Sequence, residues 1–220
     1  MAASIWVTNA GTNNVTKLKA SDGSLIGNYT VGGSPIGIAF DGANIWVANY
    51  GDGLGTTVTR LKASDGSLIG NYTVGTGPFA VAFDGTNIWV ANYWSYSVTK
   101  LKASDGSLVG TYGVGSGRPV GLAFDGANMW VASYVSDEVT KLSASDGSLI
   151  DTYAVGSFPY GIAFDGINIW VAHDGGVSKL KASDGSLIDT YAAGSGHRGV
   201  AFDGASIWVA SQGSNRVIKL

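Results

Sequence analysis

Cysteine is absent from all 220 residues, which removes disulfide staples, thiolate nucleophiles and thiolate metal ligands together. Only two histidines are present, so an imidazole-rich catalytic or metal site has little to draw on. Charge is sparse as well. Charged residues make up 13% of the chain against 45% hydrophobic, the reverse of the balance that keeps a chain disordered. A net charge of −3, with the basic residues scattered, provides no field to attract nucleic acid or an anionic membrane surface. No apolar run approaches the roughly 18 residues that span a bilayer. The opening "MAASIWVTN" has no basic segment leading into an apolar one, so the chain reads as soluble and unaddressed, and the compartment stays open. Neither a G-x-S-x-G elbow, nor a phosphate-binding glycine loop, nor HExxH, nor an EF-hand loop occurs. The "VGxGP" joints precede strands instead of opening helices, which leaves no helix N-terminus for phosphate. No catalytic residue, cofactor or metal is expected.

What the chain has in abundance is glycine and repetition. Tryptophan recurs at Trp6, Trp46, Trp89, Trp130, Trp170 and Trp208, spaced by 40, 43, 41, 40 and 38 residues. A period of that length marks a tandem array. The unit reads "PxGIAFDGxN-IWVANY-loop-VTKLKASDG-SLIGxYxVG": four runs rich in β-branched and aromatic residues, divided by Asp-Gly and glycine-rich joints. The runs are strands a ("GIAF"), b ("IWVAN"), c ("VTKLKA") and d ("SLIGNY"). Strand b is apolar nearly throughout, which suits a sheet covered on both faces. Strand c alternates lysine with apolar residues, so its lysines are expected to reach solvent. Four-stranded units of this length are β-propeller blades, with a to d running from axis to rim. The chain opens with b-c-d and closes with a-b-c, giving 22 strands. The expected fold is all-β, one β-propeller domain over 1–220, six-bladed with incomplete first and last blades. A five-bladed propeller is the alternative.

The segments "IWVANYG", "VTKLKASDGSLIGTY" and "GIAFDG" resemble the YVTN and NHL class of propeller repeats, the group that includes virginiamycin B lyase-like proteins. That resemblance implies the propeller fold over essentially the whole chain. It implies little about function, because the group spans scaffolds, binding proteins and a few enzymes. In the lyase-like members it implies a histidine-containing, metal-assisted site that opens a cyclic depsipeptide. Here only His173 and His197 stand where such a role would be carried, without a further His or Glu cluster.

The repeats also compare the two ends of the strands. The c-d turn is "ASDGS" in every copy, and the a-b turn keeps its length throughout. The b-c loops instead run five, eight, five, five, three and five residues, and one d-a joint carries an extra residue. All length variation therefore falls on one face. Loops held by a rigid scaffold tolerate such change where they carry function; drift of solvated loops, against Asp-Gly turns fixed by folding, is the competing explanation.

Ten of the sixteen acidic residues sit in the Asp-Gly turns, where they accept hydrogen bonds from their own turn. The remaining polar candidates on the variable face are Asp52, Asp137, Glu138, Asp174, Arg118, Arg198, His173 and His197. Its aromatics are Tyr50, Tyr93, Trp94, Tyr96 and Tyr134 in b-c loops, with Phe79, Phe158 and Tyr160 at the entries to strand a. Aromatics on a concave rim suit stacking on sugars, peptides or planar ligands. Three functions follow. The first is a non-catalytic binding or scaffold propeller that takes a glycan, peptide or protein partner through the variable face. The second is a metal-assisted lyase of the virginiamycin B type. The third draws on the identity of "KASDGSLIGNYTV" in the first two repeats: a recently amplified or constructed symmetric propeller without a defined ligand. An incomplete end blade allows a monomer or a strand-exchanged oligomer.

Overall fold

The computed structural model describes residues 3–194 and 196–220, with His197 described by its backbone alone. Six antiparallel sheets follow one another along the chain. Sheet 1 holds β1 (Ser4–Asn9), β2 (Asn14–Lys19) and β3 (Leu25–Thr30). Sheet 2 holds β4 (Pro35–Phe40), β5 (Asn44–Asn49), β6 (Thr57–Lys62) and β7 (Leu68–Thr73). Sheet 3 holds β8 (Pro78–Phe83), β9 (Asn87–Asn92), β10 (Ser97–Lys102) and β11 (Leu108–Gly113). Sheet 4 holds β12 (Pro119–Phe124), β13 (Asn128–Ser133), β14 (Glu138–Ser143) and β15 (Leu149–Ala154). Sheet 5 holds β16 (Ile162–Phe164), β17 (Asn168–His173), β18 (Gly176–Lys181) and β19 (Leu187–Ala192). Sheet 6 holds β20 (His197–Phe202), β21 (Ile207–Ser211) and β22 (Arg216–Lys219). These are the blades of a six-bladed β-propeller, with three strands in the first and last, as the repeat requires. The five-bladed alternative falls with the sixth sheet. The chain forms two compact units, Met1–Thr111 and Tyr112–Leu220.

Each strand begins and ends where its chemistry dictates. The prolines opening β4, β8 and β12 sit at the start of an inner strand, and the ladder slips by a bulge just after each of them. The a-b turns end each inner strand by a hydrogen-bonded Asp-Gly corner whose glycine has φ near 96°, as at Gly42 and Gly166, a conformation that disfavours a side chain.

Within each unit, neighbouring sheets meet through one recurring seam. In the first unit, Trp46, Ala48 and Val58 of sheet 2 pack against Ile88, Val90 and Leu101 of sheet 3. In the second, Trp130, Ala132 and Val139 of sheet 4 pack against Ile169, Val171 and Leu180 of sheet 5. The tyrosine of strand d roofs the tryptophan, with ring centroids 5.2 Å apart for Trp46–Tyr72 and 5.4 Å for Trp130–Tyr153. The same tyrosine rests on the c-d turn glycine of the following sheet: a Cβ added to Gly106 would overlap Tyr72, and one added to Gly185 would overlap Tyr153. Strand b is thus buried on both faces, as its composition implies; β5 is buried at all six positions.

The lysines of strand c depart from expectation. Only the second of each pair, such as Lys62 or Lys102, faces solvent. The first is buried at Lys17, Lys100, Lys141 and, in the same place, Arg60, and half-buried at Lys179. The strand's twofold alternation sets the first lysine on the tryptophan side, and the ring supplies a face for the cation. Lys141 Nζ lies 4.9 Å from the Trp130 centroid and donates to the carbonyls of Ala182 and Ser183 on the next sheet, at 2.8 and 3.2 Å. Lys17 does the same with Ala63 and Ser64, both at 2.8 Å. The seam is therefore apolar in the middle and closed by a hydrogen-bonded cation at one end.

Candidate functional site

The variable face of the first unit gathers four aromatic rings from two sheets. Tyr50 leaves strand b of sheet 2, while Phe79 enters strand a of sheet 3 and Tyr93 and Trp94 leave its strand b. Tyr93 and Trp94 meet edge to face at 4.9 Å, and Phe79 stacks on Tyr93 at 5.9 Å with 29° between the planes. Tyr50 closes the group edge-on to Phe79 at 5.7 Å and to Tyr93 at 6.4 Å. The geometry matches the offset and edge-on arrangements that aromatic quadrupoles favour. Space for the indole comes from two glycines at positive φ, Gly53 and Gly77; a Cβ at either would press into Trp94. The rings brace one another, yet the cluster is not sealed. Trp94 remains 41% exposed and Tyr96, on the same loop at φ 50°, 38%. Leu54, at the tip of the eight-residue loop, is 83% exposed. Sequence reasoning passed over Leu54, although a lone large apolar residue inside a glycine-rich loop was a visible signal.

A second, smaller group lies on the corresponding loops of the second unit. Tyr134 faces Phe158 at 5.2 Å and Tyr160 at 6.1 Å, and the Arg198 guanidinium lies 4.6 Å over the Tyr160 ring. Arg198 Nε also donates to Gln212 Oε1 at 3.2 Å. The cation and the rings form one polar-edged aromatic shelf.

The charged candidates serve mostly to hold loops. Asp137 Oδ1 accepts the Phe158 amide at 3.0 Å and Asp174 Oδ1 the Gly196 amide at 3.2 Å, each tying a b-c loop to the d-a joint leading into the next sheet. Asn13 performs that task for the Ser34 amide at 2.8 Å. Asp52 accepts the Ser34 hydroxyl. Glu138 starts β14 half-buried, and Arg118 lends its backbone carbonyl to the Tyr134 amide at 2.8 Å. His173 is buried at the end of β17, where sheets 2 and 3 carry Asn49 and Asn92. Its Nδ1 donates to the Asp174 carbonyl at 2.9 Å, and Nε2 is hydrogen-bonded to the Ser178 hydroxyl at 3.0 Å. The neighbouring Asp174 carboxylate is turned to Gly196. The side chain of His197 lies outside the described residues. Among the described residues no group of three or more His, Asp or Glu is arranged to hold a metal ion.

At the opposite ends of the strands the first unit has a groove of about 930 Å³, lined by Trp6, Lys17, Ile38, Phe40, Ala43 and Ser64. Its origin is the three-stranded sheet 1. Phe83 and Phe164 pack against the cores of their seams, whereas Phe40 has no inner strand of sheet 1 to meet. The constant face, uniform in loop length, thus has a depression beside sheet 1.

No protein-family model matches the chain, and no curated protein matches it. Solved structures do. A streptogramin B lyase aligns over 99% of this chain and 75% of its own, with TM-score 0.82 at 21% identity. A hydrazine synthase from Kuenenia stuttgartiensis aligns over 99% and 73%, with TM-score 0.84 at 18% identity. A catalytically inactive virginiamycin B lyase from Staphylococcus aureus, determined with quinupristin, aligns over 99% and 76%, with TM-score 0.82 at 19% identity. At these identities the likeness is one of fold: a β-propeller repeat protein.

Proposed function

We propose that the chain is a binding propeller that takes a glycan or peptide on its variable loop face, with the aromatic group of the first unit as the contact surface. The observation that carries this reading is the partly open cluster of Tyr50, Phe79, Tyr93 and Trp94, flanked by Tyr96 and Leu54. Rigid rings give contact area at little entropic cost, and this group is already locked by ring-on-ring packing. The lyase-like neighbours act on ligands, but of the two histidines that such chemistry would draw on here, His173 and His197, the first is buried with both ring nitrogens in hydrogen bonds. That favours binding over turnover.

The test is a glycan and peptide array probed with the wild-type chain, Trp94→Ala with Tyr96→Ala, and Phe40→Ala. Trp94, Tyr96 and Phe40 lie outside the buried strands, so the fold should survive both changes by circular dichroism, with a lower melting temperature where the Trp94 ring leaves its cluster. Loss of about tenfold or more in affinity, roughly 1.4 kcal/mol, is expected for the loop variant alone. Binding that survives it and is lost with Phe40→Ala would move the site to the groove and defeat the proposal.

A further inference from the structure

We propose that the second unit carries a binding site of its own, separate from the aromatic group of the first, for a carboxylate joined to an apolar or aromatic body: the chemistry of a peptide's C-terminal end. The site is the shelf of Phe158, Tyr134, Tyr160 and Arg198, and it has a direction. Phe158 faces Tyr134 at 5.2 Å, Tyr134 meets Tyr160 edge-on at 6.1 Å, and the Arg198 guanidinium lies 4.6 Å over the Tyr160 ring. The shelf therefore passes from apolar rings at one end to a cation at the other. The last three or four residues of an extended peptide cover such a span at roughly 3.4 Å each.

Two observations set this group apart from packing alone. The first is the backbone at Phe158, whose φ of 55° lies in the left-handed region; the equivalent position before strand a is Gly77 in sheet 3 and Gly196 in sheet 6, at 67° and 68°. A bulky aromatic residue is strained in that conformation. Asp137 holds it there: Oδ1 accepts the Phe158 amide at 3.0 Å and Oδ2 the Ser157 hydroxyl at 3.3 Å. The strain does not bury the ring, which stays 46% exposed, and Val135, next in the chain to Tyr134, is 45% exposed. Core packing therefore does not account for the strain, whereas presenting a ring does. The second observation is the cation. Among the described residues no carboxylate pairs with Arg198. The Tyr160 ring supports its plane and Gln212 Oε1 takes its Nε at 3.2 Å, which fixes the guanidinium and leaves the Nη1–Nη2 fork for a ligand. A planar fork fixed in advance matches a carboxylate in two parallel hydrogen bonds and loses little freedom on binding. The neighbouring acids are committed elsewhere, Asp137 to Phe158 and Asp174 to the Gly196 amide. That commitment also weighs against a sugar here, since its hydroxyls need acceptors beside the rings. Capture of a terminal carboxylate beside apolar side chains fits both ends of the shelf.

Titration of the full chain, followed by amide shifts in NMR and by calorimetry, tests this directly. The probes are an acetylated tetrapeptide of three alanines and a terminal phenylalanine with a free carboxylate, the same peptide as its C-terminal amide, and phenylacetate. The free acid should bind and shift Tyr134, Phe158, Tyr160 and Arg198, with the amide weaker by about tenfold or more. Arg198→Gln should reduce the acid to the level of the amide. Phe158→Gly, which installs the residue that sheets 3 and 6 carry there, should weaken the acid by about tenfold while circular dichroism shows the fold retained. Trp94→Ala with Tyr96→Ala should leave this binding unchanged, so the site stands or falls independently of the first unit. Phenylacetate binding as tightly as the tetrapeptide, and lost with Arg198→Gln, would support the same site with a small aromatic acid as its occupant. Equal binding of acid and amide overturns the proposal, as does affinity untouched by Arg198→Gln, or the absence of shifts with both acids at millimolar concentration.

Discussion

One side-chain contact recurs in five of the sheets and links the a-b turn to strand b. The indole Nε1 of each strand-b tryptophan that follows an Asp-Gly turn donates to that turn's carboxylate: Trp46 to Asp41 at 2.8 Å, and Trp89 to Asp84, Trp130 to Asp125, Trp170 to Asp165 and Trp208 to Asp203 at 2.7 Å. The Asp-Gly turn was legible in the sequence, and so was the tryptophan period. The bond between them was not, although Asp-x4-Trp spacing recurs throughout; it appears only once the hairpin brings the indole edge back over the turn. These carboxylates are acidified. Burial opposes ionisation at Asp84, but the Trp89 indole, the Asn87 and Thr86 amides and the Asn87 side chain outweigh it and leave the group below its ordinary value of 3.8. The Trp208 indole and the Ala205 and Ser206 amides bring Asp203 to about 2, and the amide and hydroxyl of Ser148 do so for Asp146. A folded-state value below the unfolded one stabilises fully above pH 3.8 and is lost as pH falls towards 2. Melting temperature should therefore hold steady at neutral pH and decline through that window, and Asp84→Ala, which strips the Trp89 indole of its acceptor, should make the decline shallower from a lower start. An acid limb unchanged by the substitution would dissociate the turn carboxylates from acid unfolding.

At the scale of the element, strand c is where sequence reasoning and structure part. Alternating lysine and apolar residues read as a solvent-facing ladder, because periodicity reports which residues share a side and not what lies beyond that side. Beyond it lies the tryptophan of the same sheet and the turn of the next. Lys141→Ala should consequently cost about 2–4 kcal/mol, since it removes two charge-assisted hydrogen bonds and a cation–π contact and orphans two carbonyls. Lys62→Ala should change stability by less than about 0.5 kcal/mol, because its ion pair with Asp65, 3.8 Å long, lies in the open. Denaturant titration of the two variants separates the cases; equal effects would mean that the buried lysines are spectators. The loop aromatics were legible as residue types, and their grouping followed from strand order. His173 was not: a histidine in an asparagine's place at the end of strand b looks functional in the sequence, while the Ser178 hydroxyl and a backbone carbonyl make it a piece of the sheet's own polar ladder.

For the molecule as a whole, the 22 strands were visible in the repeat, since a forty-residue period with two fixed turns marks each of them, while the incomplete first and last units left five sheets as the alternative to six. What the repeat could not convey is how unequal the sheets are in burial. Strands β5, β9, β13 and β17 are almost wholly buried, while β21 alternates buried and exposed and β1 has exposed and half-buried positions but no buried one. Arrays coupled only to their neighbours open from the least covered units. Amide exchange should accordingly be slowest in Asn44–Asn49, Asn87–Asn92, Asn128–Ser133 and Asn168–His173 and fastest in Ile207–Ser211 and Ser4–Asn9. Uniform protection across all six sheets would contradict that order. The recurring seam has a further consequence. Because the joints within a unit all set an indole on one side against an isoleucine–valine pair on the other, unequal crossing-over that gains or drops a repeat there leaves the joint with the same chemistry. Copy number is then free to drift in such a gene without any new surface having to be invented, and the loops on the far side of the turns diversify independently of how many units carry them.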